Sequence, residues 1–156
     1  MKTLFQPISQ MLTLHTPWQH KSPNIMQLQI FHSQVLKLSI TKTAKQVKVS
    51  DKKLFSINFE TQYDVNKDDV FAIIFDVEIK RLGDFKLKCK YGVWFKTSMP
   101  IDVNFKSSDF PRINAPAIAF PFLRSLIATI TLNSGFSPFI MPSINFVEFG
   151  DKKHEK

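Results

Sequence analysis

The sequence predicts an α+β chain: a four-stranded antiparallel sheet, a long helix, then a short C-terminal extended or helical segment. Three observations predict it. Between residues 55 and 96, three stretches alternate apolar and polar residues with a period of two, as strands buried on one face do. Short polar turns, NKDD and RLGD, join these stretches and make neighbours antiparallel. Residues 117–132 then run without glycine and are apolar on every side, the pattern of a buried helix.

The elements follow in order. Residues 1–25 show no sustained period and end in a Ser-Pro-Asn cluster; they read as a loose extension, or as sequence upstream of a start at Met26. The first strand spans 26–41, with Leu28, Ile30, Leu36, Leu38 and Ile40 alternating and an irregularity expected near His32 to Gln34. Residues 42–53 are a polar connection. The second strand sets Phe55, Ile57, Phe59, Thr61, Tyr63 and Val65 on one face. The third does so with Phe71, Ile73, Phe75, Val77 and Ile79, the fourth with Phe85, Leu87, Cys89, Tyr91, Val93 and Phe95.

A loop Arg81-Leu82-Gly83 with Gly83 left-handed sets Ile79 beside Phe85, Val77 beside Leu87, Phe75 beside Cys89 and Ile73 beside Tyr91. The opposite face then sets Glu78 beside Lys86 and Asp76 beside Lys88, acid against base. Residues 97–116 read as a long connection with Pro100 and Pro111. Pro116 suits the helix's first turn, and Pro121 lies in an early turn or makes a kink. Gly135 caps the helix end, and the proline-rich FSPFIMPSINF is extended. The tail at 150–156 is solvated and frayed.

Composition bounds function. The chain has 156 residues, enough for one core, and its 16 phenylalanines make that core aromatic. A net charge of +8 describes a solvated basic surface or an anionic partner. The lone Cys89 cannot form an internal disulfide, and polar residues interrupt any N-terminal signal, which together read as cytoplasmic. His15, His20, His32 and His154 have no metal-ligand spacing. No phosphate loop, dinucleotide fingerprint or nucleophile elbow is present, so neither a catalytic residue, a metal nor a cofactor is assigned and the chain is read as not an enzyme.

Lys86, Lys88, Lys90 and Lys96 share one side of a strand with Trp94, which keeps a basic nucleic-acid-binding module as an alternative. Asp76 and Glu78 weigh against it by neutralising two of the lysines. A membrane span at 115–132 fits in length, but the central Arg124 is unfavourable by about 2.5–3.5 kcal/mol. A helix that completes the core is the simpler account.

The stretch at 115–146 resembles the C-terminal signature of the SecB protein-export chaperones. Pro116, Phe120, Pro121, Phe122, Arg124, Gly135, Phe136, Pro142, Ile144, Asn145 and Phe146 carry the resemblance in order and without a gap. MQLQIFHSQ, DDVFAIIFDVEI and CKYGVWF resemble the family's strands more thinly, so the resemblance covers 26–149. It implies a homotetramer, a dimer of dimers with long helices between sheet layers. It implies a cytoplasmic, ATP-independent holdase that keeps preproteins unfolded and passes them to the SecA motor. Some relatives instead guard an antitoxin.

Client contact on this reading falls to Phe136, Phe139, Ile140, Met141 and Phe146, with Trp94 as a further candidate. One departure stands out. The family's docking acids for SecA fall near Val35, Ser39 and Lys90, and none of these is acidic.

Overall fold

The computed structural model describes residues 26–43, 55–81 and 83–151, so the extension at 1–25, most of the polar connection and the tail end lie outside the described residues. Four strands, β1 (Leu28–Lys42), β2 (Phe55–Tyr63), β3 (Val70–Arg81) and β4 (Phe85–Thr97), form one antiparallel sheet in the order β1-β4-β3-β2. They are followed by a short helix α1 (Val103–Ser107), a π-helical turn at Phe110–Asn114, the long helix α2 (Ala115–Asn133) and a last short helix α3 (Phe146–Asp151).

The period of two does what it predicts. Phe71, Ile73, Phe75, Val77 and Ile79 of β3 are fully buried, and so are Phe85, Leu87, Val93 and Phe95 of β4. Each such side chain stabilises the fold by about 1.5–3 kcal/mol. The register differs from the expected one by two residues. Arg81 pairs directly with Phe85, so Ile79 stands opposite Leu87 and Val77 opposite Cys89. The Asp84 amide donates to the Arg81 carbonyl at 3.1 Å, which moves the turn one residue along, while Gly83 keeps its left-handed φ of 73°. A displacement of two leaves every side chain on its expected face. Glu78 is therefore opposite Lys88, yet its closest ion pair is the diagonal one to Lys86 at 3.2 Å.

β2 is shorter than the alternation implies. Val65 is 97% exposed, because the Asp64 carboxylate accepts the Asn66 amide at 2.8 Å and turns the chain away from the ladder. In β1 the irregularity is double. The ladder to β4 skips Phe31 and Leu36, which bracket the stretch where one break was expected. Each bulge reverses the alternation, so the second restores what the first disturbs. Leu38 and Ile40 thus return to the face of Leu28 and Ile30, opposite Cys89 and Leu87.

The connection at 97–116 is more ordered than its prolines imply. Asp102 caps α1 by accepting the Phe105 amide at 2.7 Å, and Pro111 sits in the first turn of the π-helical segment, where no amide is needed. Ala115 donates to the Phe110 carbonyl, five residues back. Pro116 has no amide to offer the next carbonyl, that of Pro111. The Thr61 hydroxyl donates to it instead, at 3.0 Å, tying the entrance of α2 to β2.

In α2 a stripe four residues apart, Ala115, Ala119, Leu123, Ile127 and Thr131, faces the core with Pro116 and Phe120. Pro121 lies inside the helix, in its second turn. The expectation of burial on all sides holds for that stripe alone: Ile118, Phe122 and Leu132 are about half exposed. The stretch Phe110–Asn133 is long and apolar enough to cross a membrane, with 39% of its most apolar window buried within the chain.

Candidate functional site

Three surfaces gather the sequence-predicted residues. The first is the segment that leaves α2. Gly135, at φ 81°, ends the helix in a Schellman motif: its amide donates to the Leu132 carbonyl and that of Phe136 to Thr131. Phe136 then packs on Phe85 at 5.0 Å between ring centroids, and Phe139 packs on Phe55 and Phe85.

Thr131 fixes this path. Its buried hydroxyl donates within the helix to the Ile127 carbonyl at 2.9 Å and accepts the Phe139 amide at 2.9 Å. Arg81 donates to the Ser137 carbonyl at 3.3 Å. Residues 137–145 form no helix or strand, and Asn145 then starts α3 by accepting the Val147 amide at 3.1 Å.

The candidate contacts separate here. Ile140 is 59% exposed, and Phe136 and Phe139 are half-buried beside it. Met141 is wholly buried, and Phe146 is closed in by Phe59 and Phe120, so neither presents a surface to another chain. Their hydrophobicity closes the core under the segment. Of the signature residues, Phe120 is core, Pro116 opens α2, Arg124 is half-buried, and Phe122 and Pro142 are exposed. Thr131 went unmarked in the sequence, although its place four residues after Ile127 put it on the buried stripe.

The second surface is the exposed side of α2, where Ile118, Phe122 and Leu132 recur at helical spacing with Ser125 and Thr129 between them. The edge strand β1 adds Phe31, Val35, Leu36 and Leu38, each at least 36% exposed. Two of these, Phe31 and Leu36, are the bulged residues.

The third is the outer face of the sheet, turned away from the helices. Trp94 lies here, on the opposite side from Phe136 and Phe139. Its indole is spread over Gly92: a Cβ at that glycine would stand 2.5 Å from the ring. His32 meets the same indole at 5.0 Å, tilted. Of the positions that align with the family's docking acids, Ser39 and Lys90 belong to this face, whereas Val35 stands opposite Tyr91 on the inner face.

The titratable groups are structural in character. Burial, with the Asp76 carboxylate adding to it, pushes the Cys89 thiol up to about 11, so it remains a neutral thiol near pH 7. A hydrogen bond from Lys86, reinforced by the charges of Lys88 and Lys80, holds Glu78 below the usual carboxylate range. Among the described residues no group of three His, Cys, Asp or Glu side chains is placed to hold a metal ion.

Residues 19–156 match the family described as SecB, preprotein translocase subunit SecB. Over 139 residues the chain is 28% identical to a protein-export protein SecB of Ehrlichia ruminantium, covering 81% of this chain and 76% of that one. Over 93 residues it is 33% identical to an uncharacterised protein of Methanocaldococcus jannaschii, covering 58% of this chain and 60% of that one, less than two thirds of the relative's length.

Among solved structures, the Mycobacterium tuberculosis Rv1957 SecB-like chaperone, in complex with a peptide from the HigA1 antitoxin, superposes with a TM-score of 0.54 at 11% identity. That match covers 75% of this chain and 89% of that one. A Streptococcus agalactiae protein of unknown function gives 0.52, also at 11% identity, covering 76% of this chain and 99% of that one. At such identity the two structures speak to the fold.

Proposed function

The chain belongs to the SecB family, and on that premise we propose that it is an ATP-independent holdase, gripping unfolded polypeptides and delivering them for export. The observation that carries the reading is the apolar surface its own fold leaves uncovered around Ile140, Phe136 and Phe139. A holding surface needs contacts that are weak singly and strong together, so that many sequences fit. Phenylalanine supplies area without directional demands. Trp94 adds a contact on the far face for a client long enough to pass around the sheet.

The exposed stripe of α2 and the apolar edge β1 are the surfaces on which four copies would assemble, as the resemblance implies. An exposed apolar stripe of this kind marks a contact surface. The workplace is the cytoplasm, where preproteins await export. Ser39 and Lys90 offer no carboxylate to a basic docking tail, so delivery to SecA would use other contacts. A second reading, service to one antitoxin, draws on the peptide held by the Mycobacterium tuberculosis structure. It uses the same surface with a single occupant.

Light scattering from a chemically denatured client, diluted into buffer without nucleotide, tests the proposal. Stoichiometric amounts of the chain suppress aggregation of several unrelated clients. No suppression of any client overturns the holdase. Suppression confined to one cognate antitoxin replaces the general function with the dedicated one.

A further inference from the structure

The outer sheet face carries a charge pattern that export of apolar clients does not use. Neither β1 nor β4 contains a single Asp or Glu. Their outward positions bear Lys37 on β1 and Lys86, Lys88, Lys90 and Lys96 on β4. The carboxylates of this face, Glu60, Asp76 and Glu78, lie on β2 and β3. Glu78 engages Lys80, Lys86 and Lys88, and Asp69 engages Lys96.

Lys37 and Lys90 are left over. They stand directly opposite each other across the β1–β4 ladder, like charges paired at a cost. Neither makes an ion pair among the described residues. Asp76 faces Lys90 from β3 without pairing to it. Beside this basic pair the half-buried Trp94 indole is held flat over Gly92 and supplies the apolar surface, since Ala72 and Ile74 are 4% and 3% exposed. Two shallow hollows of about 150 and 260 Å³ flank the indole and the basic pair, one bordered by Asp64, Ala72 and Trp94, the other by Glu60, Ile74, Asp76 and Lys90.

We propose that this face is a docking surface for an acidic polypeptide segment, whose carboxylates meet Lys37 and Lys90 while an aliphatic side chain rests on Trp94. The two hollows are too shallow for a buried ligand and fit side chains laid across a sheet. A nucleic acid strand fits less well. Its phosphates would run into Asp76 and Glu78, and successive bases need several aromatic platforms where the face has Trp94 and His32. A polypeptide can place isolated acids where the lysines are and leave the carboxylates of β2 and β3 undisturbed.

The test is fluorescence anisotropy with the full chain and a short labelled peptide of glutamate and serine around a central Leu-Leu pair. Binding is expected, weakening as salt is added. Lys37→Glu with Lys90→Glu should lower affinity at least about tenfold, and the milder Lys37→Gln with Lys90→Gln should lower it less. Trp94→Ala should remove the advantage of the Leu-Leu pair over a serine pair. Both lysine double variants should still suppress client aggregation, which separates this proposal from the holdase reading. The proposal is overturned by equal binding of the lysine-for-glutamate peptide, by tighter binding of oligothymidylate, or by unchanged affinity in both double variants.

Discussion

Cys89 shows how one buried group makes stability depend on pH. Its thiol is raised to about 11 in the folded chain by burial and by Asp76, whereas in the unfolded chain it ionises near 8.5. Above that value the unfolded chain has already lost the proton that the folded one retains. The stabilising contribution is therefore complete below about pH 8 and is lost as pH rises toward 11, on the order of 3 kcal/mol in all. Urea midpoints from pH 8 to 11 should fall more steeply for the parent than for Cys89→Ala; parallel profiles would remove the thiol from the account. Gly92 is a second such residue. A methyl there meets the Trp94 ring at 2.5 Å, so Gly92→Ala swings the indole off the sheet at a cost of about 1–3 kcal/mol. Red-shifted tryptophan emission together with a lower urea midpoint would report it. The sequence marks Trp94 and Gly92 as neighbours on one strand face, but only the closeness of ring and backbone explains why the smaller residue has to be glycine.

At the scale of elements, the joint between α2 and the segment after it rests on few groups. Thr131→Val keeps the shape but strands the Phe139 amide, which costs about 1–3 kcal/mol. Gly135→Ala forces an alanine to φ 81° and costs about 1 kcal/mol. Thermal melts of both variants check the order, with Thr131→Val at least as damaging. β3, β4 and the end of α2 are legible in the sequence because alternation and a terminal glycine are local signals. Three features were not. The double bulge in β1 is set by its pairing with β4, far away in sequence, and alternation that returns to its starting face hides both skips. α1 and the π-helical turn sit among prolines that read as loop, although their first turns need no amide from them. Met141 and Phe146 look like sticky surface in a proline-rich tail, and only the packing under α2 reveals them as core. The bulges also predict tolerance: removing Phe31 closes the ladder without turning any other β1 side chain over, so this deletion should fold, while an insertion after Ile40 should not. Circular dichroism and proteolysis of the two variants distinguish the cases.

For the whole molecule, a lone chain of this shape leaves the α2 stripe wet, and assembly is the simplest way to dry it. Phe122→Glu with Ile118→Glu should lower the native mass while leaving the sheet's circular dichroism in place. An unchanged mass would place the interface elsewhere. Sheet order carries a further consequence, one of timing. β1 is the first strand to leave the ribosome, yet its one neighbour in the sheet is β4, the last. β2, β3 and β4 can close as a meander of short connections while β1 waits for Leu28 to find Thr97. Until that final strand emerges, the nascent protein exposes Leu28, Ile30 and Ile40, which the finished sheet packs against the core. A chain whose proposed work is to shelter unfinished proteins thus passes through its own synthesis as one of them, and its yield should fall when translation is slowed and rise when another chaperone is supplied.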